Sequence, residues 1–292
     1  MSIKPGNTVI GFIGLGVMGH SMAEHILKAG YELHVYTRTK QSGKIIISKG
    51  AVWENSVAEL SSKCDVIITI VGFPADVEEV YFSTNGILNT AKQGSIVIDM
   101  TTSSPELAIK IYDRAKQKNV ASLDAPVSGG ALGAQNAALS IMVGGDKEIF
   151  GKVLPVFKTM GKNIELQGKP GAGQHTKISN QIAIAAGMIG MCESIAYAQK
   201  AGLDPETVLK SIGQGAAGSW SLNNLGPKII AKNFSPGFYI KHFIKDMNIA
   251  VNASDDLELE TPGLDLALSL YKKMADKGLE NDGTQGLYKL FK

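Results

Sequence analysis

Two patterns of apolar residues divide this chain of 292 residues and predict an α/β fold. An N-terminal domain with a doubly wound, mostly parallel sheet is followed by an all-helical domain. Through the first half, short β-branched runs alternate with amphipathic stretches, which is the spacing of parallel strands joined by crossover helices. After about Gly168 the strand runs stop. A long apolar stretch at about 174–201 lies where the pattern changes and is read as the helix that joins the two domains, set at 1–168 and 169–292.

The strand candidates, in order, are Thr8 to Ile13, Leu33 to Tyr36, Val66 to Val71, Ser95 to Asp99, Ser122 to Asp124 and Leu139 to Val143. Met18 to Ala29 has a helical pattern, and Gly30 follows it in the place of a C-terminal glycine. The long stretch from Gln174 to Ala201 is rich in Ala, Ile, Met and Gly on most faces, as a helix enclosed by other elements is. Beyond it, Asp204-Pro205 and Thr261-Pro262 each set a capping residue before a proline at the first helical position. Internal repeats, low-complexity segments and flexible linkers are not seen.

Composition narrows the class. With 44% hydrophobic and 19% charged residues the chain can bury sizeable cores, and 29 basic against 27 acidic residues leave a net charge of +2. That balance argues against nucleic acid as a partner. Cys64 and Cys192 are the only cysteines, too few for a disulfide framework and not spaced as a CxxC motif, so both read as buried thiols of a reducing compartment. The apolar stretch from Val9 to Leu15 is short and broken by glycine, which reads as a buried strand and not a signal peptide. No other stretch is expected to span a membrane, since even Ile178 to Ala198 carries Asn180, Gln181, Glu193 and Ser194. A soluble, cytoplasmic protein is expected. Arg38 and Arg114 are the only arginines.

Gly14-Leu15-Gly16-Val17-Met18-Gly19 follows the first strand and opens the first helix. A bare GxGxxG is weak, but in this context it reads as a dinucleotide fingerprint: the glycines permit a tight turn and bring backbone N–H groups and a helix N-terminus to a pyrophosphate. A glycine turn without a ligand is the plain alternative. An NAD enzyme usually presents a carboxylate about 20 residues further on; here the second strand runs into Thr37-Arg38-Thr39-Lys40. Thr37 stands in the acid's place, and Arg38, Thr39 and Lys40 suit a 2′-phosphate, favouring NADP with NAD as the second choice. A solvated basic loop is the alternative. Val71 and Gly72, at the end of the third strand run, complete the candidate cofactor edge.

Three later segments carry candidate chemistry. Asp99-Met100-Thr101-Thr102-Ser103-Ser104-Pro105 ends a strand in hydroxyl residues, either at the ligand-binding edge of the sheet or as a helix cap. Asp124-Ala125-Pro126-Val127-Ser128-Gly129-Gly130 ends another strand in a loop whose free N–H groups suit a carboxylate, or in a plain turn. In Gly171 to Gln181, Lys177, Asn180 and Gln181 share one helix face at i, i+3 and i+4. A lysine buried there would be costly without a task, and general acid or base chemistry supplies one; the alternative is a lysine reaching back to solvent. His20, His25, His34, His175 and His242 show no metal-ligand spacing, and no metal site is expected. His175 is read as a surface or interface residue.

These motifs, together with Lys245-Asp246 in Phe243-Ile244-Lys245-Asp246-Met247, run in order through essentially the whole chain. The set resembles the β-hydroxyacid dehydrogenase family, which includes 3-hydroxyisobutyrate dehydrogenase, tartronate semialdehyde reductase, glyoxylate/succinic semialdehyde reductases and, more distantly, 6-phosphogluconate dehydrogenase. The resemblance implies a Rossmann domain, a helical C-terminal domain and an active site in the cleft between them. It makes Lys177 the catalytic lysine, Ser128, Gly129 and Gly130 the substrate loop, Thr102 a neighbour of nicotinamide and substrate, and Lys245 a lysine reaching cofactor or substrate. Asn180 and Gln181 match an amide pair that is Asn-Asn in many members, so Gln181 departs from the pattern. Phe238 falls where an apolar side chain covers the pocket.

The implied reaction is hydride transfer between a nicotinamide and a small 3-hydroxy acid or its aldehyde or keto acid, with Lys177 giving or taking the proton. Homodimers or homotetramers are implied as well. A large sugar phosphate fits poorly with so few arginines. From a different class, the chain would be a non-catalytic NADP-binding scaffold or sensor; the retained Lys177 favours the enzyme.

Overall fold

The computed structural model describes residues 3–291; Met1, Ser2 and Lys292, the outer ends of the two expected domains, lie outside the described residues. The chain divides between Lys177 and Ile178 into two compact units, and the division falls inside the long helix Ala172–Lys200.

The first unit is organised on one sheet of nine strands: β1 Val9–Ile13, β2 Glu32–Tyr36, β3 Val52–Trp53, β4 Val66–Thr69, β5 Ile96–Asp99, β6 Ala121–Asp124, β7 Val127–Ser128, β8 Leu139–Gly145 and β9 Gly161–Gly168. Their order is β3-β2-β1-β4-β5-β6-β8-β7, with β9 paired to β8. From β3 to β6 every neighbour is parallel, whereas β8 runs antiparallel to β6 and β7. The strand order reverses between β1 and β4, so the crevice of a doubly wound sheet opens at the carboxyl end of β1.

Both faces of this sheet are covered, which is why its central strands read as unbroken apolar runs. Successive residues alternate between two cores: Ile10, Phe12, Val66, Ile68, Ile96 and Ile98 belong to one, and Ile13, Ile67 and Val97 to the other. The helix after β1 is Gly19–Lys28, and Gly30 follows at φ 87°, the left-handed terminator expected there. β4 stops at Thr69, two residues short of the predicted run. Ile70 N–H still bonds Ile13 O, but Val71 N–H turns to Thr101 Oγ1. The strands absent from the prediction are β3, β7 and β9, of which the first two are two residues long. β9 is largely exposed and offers no apolar run to read.

In the second unit the remainder of the long helix is followed by helices Pro205–Ile212, Trp220–Ile230, Ile240–Asp256 and Pro262–Asp276 and a 3₁₀ turn, Thr284–Leu290. Met188, Cys192, Ile195, Phe243, Met247 and Tyr271 are among the residues of its core. Asp204 caps its helix through the N–H groups of Glu206 and Thr207. Thr261 occupies the corresponding position without a side-chain cap bond. Contrary to the sequence expectation, Ala172–Lys200 is long and apolar enough to cross a membrane by length and composition. Seven of its apolar residues, from Ile178 to Ile195, are buried in the core of the second unit, so core packing accounts for much of that apolarity.

Candidate active site

The glycine loop separates into residues the fold requires and one it does not. Gly14 has φ 103°, and a Cβ there would lie 2.1 Å from Ile70 O. A Cβ on Gly19 would lie 1.9 Å from Gly14 O. These two glycines are dictated by the turn itself. Gly16 is exposed, and a Cβ on it would meet nothing within 4 Å. What its bareness leaves is open backbone at a helix N-terminus with no acidic residue in its first turn, where an anion can approach. Leu15 is buried in the core and Val17 is half exposed, so main-chain groups are what these positions offer a ligand. The residues present fit the pyrophosphate of a dinucleotide.

Beyond β2, Thr37 is half-buried and Arg38 and Thr39 are exposed. The Arg38 guanidinium lies 3.0 Å from Asp76 Oδ1, while Asp76 Oδ2 accepts the Phe73 N–H at 3.0 Å and caps the helix Pro74–Phe82. Lys40 Nζ rests over the Trp53 ring. A Cβ on Gly72 would lie 3.0 Å from Asp76 Oδ2. Arg38, Gly72 and Asp76 therefore share one corner of the first unit, and sequence reading missed the carboxylate in it. Only its position three residues after the Phe73 cap hinted at a fixed role.

The hydroxyl segment caps a helix and also lies at the carboxyl end of β5. Ser104 Oγ accepts the Leu107 N–H and caps the helix Pro105–Gln117, whereas Thr101 ties the sheet edge together. Thr101 Oγ1 accepts the Val71 N–H at 2.9 Å, and the Thr101 N–H donates to Asp99 Oδ1 at 3.1 Å. Asp99 Oδ1 also accepts the Thr69 hydroxyl at 2.8 Å. Burial pushes the Asp99 carboxyl up to about 6, against the opposing pull of Thr101 and Thr69. Thr102 is half-buried between Thr101 and Ser103.

Asp124 holds the start of the long helix. Its carboxylate accepts the N–H groups of Gly171 at 2.8 Å and Gln174 at 2.9 Å, satisfying donors that a helix N-terminus otherwise leaves unpaired. Burial raises its pKa, while the bonds from Gly171 and Gln174 pull it back. A Cβ on Gly173 would lie 2.4 Å from Met142 O, a measure of how closely the helix start presses on the sheet. Gln174 is wholly buried; its Nε2 donates to Thr101 O at 2.8 Å and its Oε1 accepts the Ser103 N–H at 3.0 Å. Lys177 follows three residues on, 6% exposed, so the alternative of a lysine at the solvent boundary is not realised. His175 is exposed. Ser128 ends β7, and Gly129 and Gly130, with φ 131° and 61°, shape a half-buried loop into the short helix Gly130–Gln135.

In the second unit Asp246 gathers three of the predicted residues. Asn180 Nδ2 donates to Gln181 Oε1 at 2.8 Å, Gln181 Nε2 donates to Asp246 Oδ2 at 2.6 Å, and Lys245 Nζ pairs with Asp246 Oδ1 at 2.8 Å. Gln181 and Asp246 are each 2% exposed. Both ends of the Gln181 amide are thus engaged, one by Asn180 and the other by the carboxylate that pairs with Lys245. Phe238 is half-buried, its ring centroid 5.8 Å from that of Phe243. Among the described residues no cluster of three or more His, Cys, Asp or Glu is arranged to hold a metal.

Two family models cover this chain. One, for the NAD binding domain of 6-phosphogluconate dehydrogenase, matches residues 9–168; the other, for the NAD-binding of NADP-dependent 3-hydroxyisobutyrate dehydrogenase, matches residues 171–291. The uncharacterized oxidoreductase YkwC of Bacillus subtilis is 61% identical over 97% of this chain and 98% of its own length. The probable 3-hydroxyisobutyrate dehydrogenase-like 1 of Arabidopsis thaliana is 45% identical over 98% of this chain and 85% of its own. Among solved structures, the Mycobacterium tuberculosis 3-hydroxyisobutyrate dehydrogenase with L-serine superposes with a TM-score of 0.89 at 27% identity, covering 98% of this chain and 99% of that one.

Proposed function

Because this chain belongs to the NAD(P)-dependent β-hydroxyacid dehydrogenase family, we propose that it interconverts a small 3-hydroxy acid and its semialdehyde or keto acid, prefers NADP, and uses Lys177 as its general acid and base. Bound NAD(P) supplies or accepts the hydride at C4 of its nicotinamide. Lys177 donates a proton to the carbonyl oxygen during reduction and takes it back during oxidation, which removes the charge that would otherwise build on that oxygen. The N–H groups of the Ser128–Gly130 loop receive the substrate carboxylate, so that chain length beyond the hydroxyl carbon becomes the variable the pocket reads. Asn180, Gln181 and Phe238 are assigned to the substrate, and Thr102 and Lys245 to the nicotinamide side.

The observation that carries this reading is the buried Lys177, 6% exposed on a helix whose first turn is clamped by Asp124. An ammonium so enclosed is costly unless it has a partner and a task. The related proteins support the substrate class, since 3-hydroxyisobutyrate and L-serine both carry a hydroxyl on the carbon β to a carboxylate. NADP preference rests on Arg38, with Thr37 in place of a carboxylate after β2.

Mixing the protein with NADPH and a panel of short oxo acids, and following the absorbance of the reduced cofactor, tests the reaction. The Lys177→Ala variant should bind NADPH and lose at least about a hundredfold in turnover. A folded variant with near wild-type turnover sinks the assignment. We also place the protein in the cytoplasm, where its two free thiols would stay reduced, and expect a homodimer or homotetramer. Exposed Ala183, Ala186, Gly187, Gly190 and Tyr197 on the long helix supply a face for self-association. Light scattering behind a sizing column reads the oligomer, and cell fractionation the compartment.

A further inference from the structure

Gln174 uses three hydrogen-bonding groups, one on the end of β6 and two on the segment that follows β5. Its main-chain N–H goes to Asp124 at the end of β6. Its side-chain amide pairs with the backbone on both sides of Thr102, giving Nε2–H to Thr101 O at 2.8 Å and taking the Ser103 N–H on Oε1 at 3.0 Å. The planar amide acts as one more peptide group would, holding the main chain on either side of Thr102 while the Thr102 side chain takes no part in that pairing. Thr101 extends the chain of bonds, because its Oγ1 fixes Val71 of the cofactor edge. Three residues along the same helix stands Lys177.

A buried side chain whose only duty is to fill space needs no amide, and apolar residues fill such space at lower cost. The amide is needed where backbone groups must be satisfied and held in one register. Resting on the reading of Lys177 as proton donor and Thr102 as a neighbour of the nicotinamide, we propose that Gln174 is a positioning residue that locks the Thr102 loop to the Lys177 helix, so that the hydride-transfer site and the proton donor meet the same carbonyl group. Neither Thr102 nor Lys177 can then shift along the sheet edge without breaking a bond to Gln174. Hydride and proton transfer both fall steeply with misalignment, and displacements near 1 Å can cost about a hundredfold.

The test compares Gln174→Met, which keeps length and volume but neither side-chain bond, with Gln174→Asn, which keeps the amide but falls one methylene short. Each is assayed with NADPH and with NADPH deuterated at C4, on whichever oxo acid of the panel turns over fastest. The expected result for Gln174→Met is a tenfold or greater loss of kcat at saturating cofactor, an NADPH dissociation constant within about threefold of wild type, and a larger deuterium isotope effect as the transfer step becomes limiting. Gln174→Asn should fall between, and it carries the test if the methionine variant does not fold. A kcat within twofold of wild type, corrected for the folded fraction, overturns the proposal, as does a loss with an unchanged isotope effect. Lys177→Ala, measured alongside, separates the two layers. If that variant keeps turnover, the underlying reading fails; if it is inactive while both Gln174 variants are normal, only the positioning role fails.

Discussion

Replacing Gly16 by alanine should separate what the glycine loop does for the fold from what it does for a ligand. The added methyl meets nothing within 4 Å, and Gly16 is not held at a left-handed φ. Its effect on stability should stay within about 0.5 kcal/mol, or favour the folded state by up to about 1 kcal/mol through the lost freedom of the unfolded chain. The methyl does occupy the space where a pyrophosphate approaches the helix N-terminus. Hydrogen bonds to a charged group contribute about 1.5–3 kcal/mol each, so losing one raises the NADPH dissociation constant roughly ten- to a hundredfold. The neighbouring glycines behave oppositely. Alanine at position 14 or 19 puts a Cβ 2.1 Å or 1.9 Å from backbone oxygen, which should cost at least about 1–3 kcal/mol. Thermal melts and titration of NADPH fluorescence measure both quantities on the same samples. A Gly16→Ala protein that melts normally and binds NADPH within twofold of wild type would refute the assignment of that gap to the pyrophosphate.

Other outcomes follow from the same geometry. Arg38→Ala should weaken NADPH about tenfold and leave NADH nearly unchanged, since the exposed Arg38–Asp76 pair itself contributes little; equal losses for both cofactors would argue that Arg38 does not see a 2′-phosphate. Asp99, raised from 3.8 to about 6, favours the folded state most below its unfolded pKa and loses that contribution as pH rises through 6. The span corresponds to about 3 kcal/mol, so urea unfolding between about pH 4 and pH 7 should show wild type losing stability relative to Asp99→Asn, and parallel curves would contradict this. Burial pushes the Cys64 and Cys192 thiols up to about 12. Both should resist thiol reagents in the native protein and react on denaturation, which a spectrophotometric thiol count reads directly.

Much of the plan was legible because it is local. The predicted strand runs of the sheet centre are short β-branched stretches, the glycine loop is contiguous, and Lys177 stands out as a charge on an apolar helix. What escaped reading depends on partners far apart along the chain. Asp124 becomes a helix anchor only when residue 174, 50 positions later, arrives at it. Gln174 looks like an ordinary polar residue of a helix start until the Thr102 loop, 71 to 73 positions earlier, folds against it. Asp246 appeared in the sequence only as a neighbour of Lys245, and its bond to Gln181 spans 65 positions. Asp76 lies 38 positions from Arg38, so their ion pair leaves no local signal. β9 lacked a signal for a different reason: its pairing with β8 is made by backbone, and most of its side chains face solvent.

The long helix bears on how such a chain can be taken apart. Residues 172–177 belong to the first unit and 178–200 to the second, so the joint between the units is a run of unbroken helical hydrogen bonds and not a hinge of loop. A gene cut at 168 would leave Asp124 without the Gly171 and Gln174 N–H groups it accepts, stranding a buried carboxylate. A cut at 177 would keep those bonds but end the helix after fewer than two turns, too short to persist alone. Neither cut leaves the first unit with an intact helix anchor. For recombination between relatives the exchangeable piece has to carry the helix with the sheet edge that anchors it, so modules in this protein are better drawn through hydrogen-bond ownership than through the apparent border between sheet and helices.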